Sequence, residues 1–153
     1  MKEPNIINIK EIVNEVRHVF AEYEQALVHN DLEILDRFFW HTDLVVRFGA
    51  NENLYGIDAI RAFRHARPAA ALKRCLINTK INTFGTDFAT TTTEFIRPNQ
   101  PMGRQTQAWV RFADGWRIVS AHVSTIHITS VPNQSISKTE NGSLEDDWQS
   151  PGG

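Results

Sequence analysis

One cysteine, Cys75, stands in the chain, so no disulfide can form within it, and nothing argues for an oxidising compartment. No apolar run is long enough to span a membrane, and the N-terminal MKEPNIINIKEIV lacks the hydrophobic stretch of a secretory signal. A cytoplasmic protein is the expectation. Charge of one sign is not in excess. The net charge is -2 with 22% charged residues, against the basic surface that nucleic-acid binding needs. There is no phosphate-cradling glycine loop and no nucleophile elbow. The histidines at 18, 29, 41, 65, 122 and 127 form neither an H-x-H pair nor an H-E-x-x-H helix, so no metal site is read. His122 and His127 differ by an odd number and point apart on a regular strand.

What is present is a soluble α+β pattern in 153 residues, 41% of them hydrophobic. Ile9, Ile12, Val13, Val16, Phe20, Tyr23 and Leu27 recur three or four apart, the stripe of an amphipathic helix. Asn8 with Glu11 suggests a capping box. Asn30 ends this helix, and Asp31 caps a short second one that buries Leu32, Leu35 and Phe39. DLVVRFG, residues 43–49, reads as a strand. A polar loop, ANENLYG, leads to a third helix over residues 57–67, stopped by Pro68. Strands are predicted at 72–84, 88–97, 104–112 and 116–129, joined by GTD, RPNQPMG and ADG turns. Helices first and hairpin-linked strands after imply three helices on one face of a curved, mainly antiparallel sheet. The ordered domain is read as 1–130. Residues 131–153, rich in Ser, Asn, Gly and acids, are read as a polar tail with weak intrinsic structure.

Two residues are out of character with their surroundings. In DLVVRFG, alternation puts Arg47 on the face of Val45, where a covered guanidinium needs an anionic partner. That partner is either an internal carboxylate, Glu52 or Glu94, or a ligand carboxylate held bidentately. Tyr23 lies on the apolar stripe between Phe20 and Leu27. Its phenol either bonds a core carbonyl or serves as a neutral proton donor toward a ligand. Candidates of second rank are Tyr55, Gln107 and His122. The last strand alternates Trp116, Ile118, Ser120, His122 and Ser124 on one face, and its neighbour Gln105, Gln107, Trp109 and Arg111. Periodicity leaves open which faces line a pocket. Arg64 and Arg67 border the apolar stripe of the third helix, either over a pocket mouth or on a solvated face, alongside Arg61 and His65.

The segment YEQALVHNDLEILDRFFW and the closing DGWRIVSAHVS resemble landmarks of the SnoaL-like, cystatin-like cone shared with nuclear transport factor 2. A denser likeness covers residues 16–124. VVRFGANENLYGIDAIRAFRHARPAA, TFGTDFA, TEFIR and GRQTQAWVRFADGWRIVSAHVS resemble the AtzH/HpxZ family. That resemblance implies a small cytoplasmic protein near ureido-acid breakdown, in oxalurate catabolism or in decarboxylating hydrolysis of 1,3-dicarboxyurea. It places a pocket tyrosine at Tyr23 and a pocket arginine at Arg47. Ketosteroid isomerases are similar in cone and tyrosine, but carry a basic aspartate where this chain has VVRFG. An arginine there suits an anionic substrate. The resemblance further implies no cofactor, a homodimer through the outer sheet face, and either an enzyme or a noncatalytic accessory subunit for an amidase.

Overall fold

The structure, a computed structural model, describes residues 6–69 and 72–127. The helical stripe forms α1 (Lys10–Val28), which buries Ile12, Val16, Phe20, Tyr23 and Leu27. Asn30 follows in a left-handed conformation, φ 53°, which asparagine tolerates and which reverses the chain. Asp31 caps α2 (Leu32–Phe38) by accepting the Ile34 N–H at 3.3 Å. DLVVRFG contributes β1 (Val46–Phe48), then come β2 (Asn53–Tyr55), α3 (Ile57–Ala66), β3 (Cys75–Phe84), β4 (Phe88–Ile96), β5 (Met102–Phe112) and β6 (Gly115–Ile126). Arg67 closes α3 in the extended conformation that Pro68 imposes on its predecessor.

The strands make one sheet in the order β2-β1-β6-β5-β4-β3. Every pairing is antiparallel except that of β1 with β6, which is parallel. The expected α+β architecture, helices packed on a mainly antiparallel sheet, is the one observed. The core lies between them: Val16, Leu35, Phe39, Val45, Ile60, Trp109 and Ile118 are all fully buried. Among the described residues no helix is long and apolar enough to cross a membrane.

Four local expectations are corrected. Asn8 does not cap α1, whose N-cap position is Ile9 and carries no side-chain cap. Its side chain instead accepts the Thr83 N–H at 2.7 Å and donates to Asn82 at 3.0 Å, tying the N-terminal segment to β3. The stretch read as a polar loop holds β2, an edge strand paired to β1 residue for residue. Strand β3 starts at Cys75, not at 72, and is bulged between Ile77 and Lys80. The fourth correction decides the site. Trp109 pairs with Ile118 but Ala108 pairs with Ser120, so Val119 is an extra residue in β6. A bulge inverts the alternation beyond it. Trp116 and Ile118 face inward, but past the bulge the inward residues are Ala121 and Val123, while Ser120 and His122 turn outward. The proposed tail, residues 131–153, lies outside the described residues.

One glycine fixes a core aromatic. A Cβ at Gly103 would fall within the Phe95 ring, which pairs across from it on β4. Phe95 is rigid and 3% exposed, so it cannot give way cheaply. Gly103→Ala is expected to lower stability by about 1–3 kcal/mol, the range for overpacking; urea denaturation checks this.

Candidate functional site

Helix α1 delivers two polar side chains to the sheet at adjacent positions, Tyr23 and Glu24, both buried. The Tyr23 ring is clasped edge-on by Phe38 and Trp109, with centroids 6.2 and 6.4 Å away. Its hydroxyl meets the inward arginine of α3: Arg64 Nη2 donates to Tyr23 Oη at 2.7 Å. The phenol oxygen is therefore an acceptor in this bond, and its own proton is left for another partner. No acceptor for it occurs among the described residues. Burial by itself raises the phenol's pKa. The positive charges of Arg64, Arg47 and Arg74, with the Arg64 hydrogen bond, more than reverse this and hold Tyr23 below the ordinary phenol range.

Tyr23 opens on a cavity of about 330 Å³, whose wall also includes Arg47, Arg67, Arg74, Arg97 and Gln105. The arginines sit on aromatic faces. Phe63 of α3 carries Arg47 at 5.2 Å and Arg67 at 6.0 Å from its centroid. Phe95 carries Arg74 at 4.3 Å and Arg97 at 5.0 Å. A ring face attracts a cation without neutralising it. Neutralisation is only partial. Arg74 is held by both oxygens of Glu24, at 2.9 and 2.7 Å. Arg47 Nη1 is held by Glu52 at 2.9 Å. With Arg64 behind Tyr23, five guanidinium groups meet two carboxylates, an excess of three positive charges.

The hydrogen-bond inventory shows the same imbalance. Buried Nε and Nη1 of Arg64, Nε and Nη2 of Arg67, Nε of Arg97 and Nε2 of Gln105 have no partner. Every one of these is a donor. Gln105 is oriented by Arg74, whose Nη2 donates to its Oε1 at 3.1 Å, so its amide nitrogen is the free end. Burial, then the neighbouring arginines, lower Arg67 and Arg97 to about 10. Burial likewise lowers Arg47, opposed by Tyr23 and Glu52. All three stay charged at neutral pH. A group of unmet donors under an excess of positive charge calls for an acceptor-rich anion. Among the described residues no cluster of His, Cys, Asp or Glu could hold a metal ion.

The structure brings Tyr23 and Arg47 together on this wall, although they are far apart in sequence. It separates the other three candidates from it. Tyr55 is 64% exposed on edge strand β2, its ring against Phe48. His122 is exposed and meets Phe48 from the outer side, because the Val119 bulge turns it out. Gln107 faces inward but is enclosed in the core, where Thr91 Oγ1 donates to its oxygen at 3.1 Å and itself accepts from Trp109 Nε1 at 3.1 Å. Gln105, two residues earlier, is the amide that reaches the cavity. Of the α3 arginines, Arg64 turns inward to Tyr23 and Arg67 lines the wall. Arg61 pairs with Asp36 at 3.7 Å, away from the cavity. Both internal partners foreseen for Arg47 are resolved: Glu52 binds it, while Glu94 accepts from Asn78 at 2.8 Å. The missed residues, Glu24, Arg74 and Arg97, carried one signal, an acid next to Tyr23 at the edge of an apolar stripe.

A family model described as AtzH-like matches residues 5–129. The chain is 50% identical to a protein with unknown function of the DUF3225 family from Pectobacterium atrosepticum; the match covers 82% of this chain and 99% of that one, with a TM-score of 0.80. It is 48% identical to a cystatin-like fold protein from Burkholderia xenovorans, covering 79% of this chain and 96% of that one, TM-score 0.76. An NTF2-like protein of unknown function from Pseudomonas putida, 18% identical over 74% of this chain and 86% of that one, TM-score 0.60, shares the fold alone. The fold is thus the cystatin-like, NTF2-like one. No curated protein matches.

Ultraviolet titration of the phenolate band checks the electrostatics. The signal that Tyr23→Phe removes is expected to titrate below the ordinary phenol range, and Arg64→Met is expected to move it upward.

Proposed function

We propose that this chain, which belongs to the AtzH-like family, binds a small ureido acid with two acidic ends and removes one of them as carbon dioxide. The observation that carries the reading is the set of unpaired donors on Arg67, Arg97 and Gln105, residues of the wall of a cavity that four arginines line. A ligand of that class supplies carboxylate and urea oxygens in number. Each good charge-assisted contact contributes about 1.5–3 kcal/mol. The cavity lies at the small end of the range for metabolite sites.

The chemistry needs little more. In an N-carboxy urea the bond from nitrogen to the departing carboxylate breaks and its electron pair stays on nitrogen. The nitrogen takes a proton, carbon dioxide leaves, and the remaining product is the shortened ureido acid. Tyr23 is suited to give that proton, because Arg64 occupies its oxygen as a donor and leaves its O–H free. The tyrosinate formed is stabilised by Arg64, Arg47 and Arg74, the same charges that lower its pKa, and is reprotonated from solvent. The departing carboxylate loses its charge, so a tight clamp would oppose its release. Arg74, already committed to Glu24 through both oxygens, suits that end. Arg47 and Arg67 suit the carboxylate that stays. Gln105, whose amide nitrogen is unpaired, provides a donor for the urea C=O group.

The test is carbon dioxide release from a dicarboxyurea-like substrate by the purified protein, with an oxalurate-like acid, which has no N-carboxylate to lose, as the comparison. Tyr23→Phe is expected to lower kcat by roughly 10²–10⁴-fold, the usual contribution of a general acid. Arg47→Ala is expected to lower kcat/KM by roughly ten- to a hundredfold through binding. Activity is expected to fall as pH rises through the depressed Tyr23 pKa, since the protonated phenol is the active form. Turnover by Tyr23→Phe at the wild-type rate would contradict the acid role. Turnover that begins only when an amidase is added would favour the accessory reading.

A further inference from the structure

The cavity contains two arginine–carboxylate pairs of different kinds. Arg74 and Glu24 form a fork-to-fork pair with two bonds, their side chains 2% and 10% exposed. Arg47 and Glu52 share one bond, from Nη1 to Oε2 at 2.9 Å, and the Glu52 side chain is 22% exposed. No other nitrogen of Arg47 donates to a described residue. The first pair is locked; the second is held by a single contact at the edge of solvent.

The β1–β2 turn explains how the second pair is placed. Gly49 N donates to Glu52 O at 2.8 Å and closes the turn. The Glu52 side chain then folds back across Gly49 toward Arg47, its Oε1 touched by the Asn51 N–H at 3.3 Å. A Cβ at position 49 would fall on the Glu52 carboxylate, so the absent side chain provides the seat. Ala50 and Asn51 at the turn tip are exposed, and the Glu52 side chain is itself partly open to solvent.

We infer that Glu52 is an internal stand-in for a ligand carboxylate, occupying Arg47 in the free protein and giving way to the incoming acid, so that it sets the affinity and selectivity of the site. The inference rests on the anion-binding reading above. In the unliganded cavity Glu52 offsets the cost of keeping Arg47 away from water. On binding, one carboxylate replaces another on the same guanidinium, and Glu52 regains its hydration. A ligand must therefore do better than a tethered acid at high local concentration. A bidentate carboxylate does; a neutral amide does not.

The experiment is calorimetric titration of malonate into wild type, Glu52→Gln and Gly49→Ala. Glu52→Gln keeps the shape and removes the charge. Gly49→Ala keeps the charge and fills the seat, at a backbone position that alanine accepts because its φ is not in the left-handed range. Both are expected to tighten malonate binding by roughly five- to tenfold, the scale of a partly exposed ion pair. The ligand-free Tm of Glu52→Gln is expected to fall, and malonate to raise it by more than it raises the wild-type Tm, in step with the tighter binding. Wild-type binding with no tightening, or with weakening, in both variants overturns the inference and leaves the anion reading standing. Absence of malonate binding in all three proteins overturns both.

Discussion

Positive charge that the protein does not neutralise is the constraint around which this molecule is built. A guanidinium taken from water is costly unless hydrogen-bonded and paired. Here several are crowded around one cavity, and buried nitrogens of Arg64, Arg67 and Arg97 have no partner. A fold selected for stability alone would replace them with apolar side chains of similar volume at little cost. Their retention makes sense as a standing demand for an anion, which the cavity places next to a phenol.

The scaffold carries this charge in specific ways. Phe63 and Phe95 each support two arginines. Phe95 in turn lies over Gly103, whose missing side chain gives it room. Adjacent residues of α1 divide the work: Tyr23 faces Arg64, and Glu24 restrains Arg74. The parallel pairing of β1 against β6 brings Arg47 beside Ala121, which puts a residue from the first half of the chain on the same wall as the C-terminal strands. No single element contains the site. It exists only where α1, α3 and the sheet meet.

The elements with a clean period were legible in the sequence. The α1 stripe placed Tyr23 inward, Asp31 marked a cap, and alternation in DLVVRFG put Arg47 on the side of buried Val45. What could not be read was set by tertiary contacts. The bulge at Val119 has no local marker, yet it reverses the last strand and expels His122. Strand β2 is three residues long and exposed at both ends, and only its pairing to β1 makes it a strand. Asn8 resembled a cap, but Thr83 and Asn82 engage its side chain instead. Arg74 and Arg97 lie near strand ends, positions usually wet, and become site residues only because Glu24 of α1 holds the first and the Phe95 ring carries both.

The most direct test is a crystal structure of the protein grown with malonate. The account predicts one malonate in the cavity, with carboxylate oxygens within hydrogen-bond distance of Arg47 and of the unpaired donors of Arg67, Arg97 or Gln105. A cavity whose arginine donors are met by water alone, with malonate absent or bound elsewhere on the surface, would contradict it.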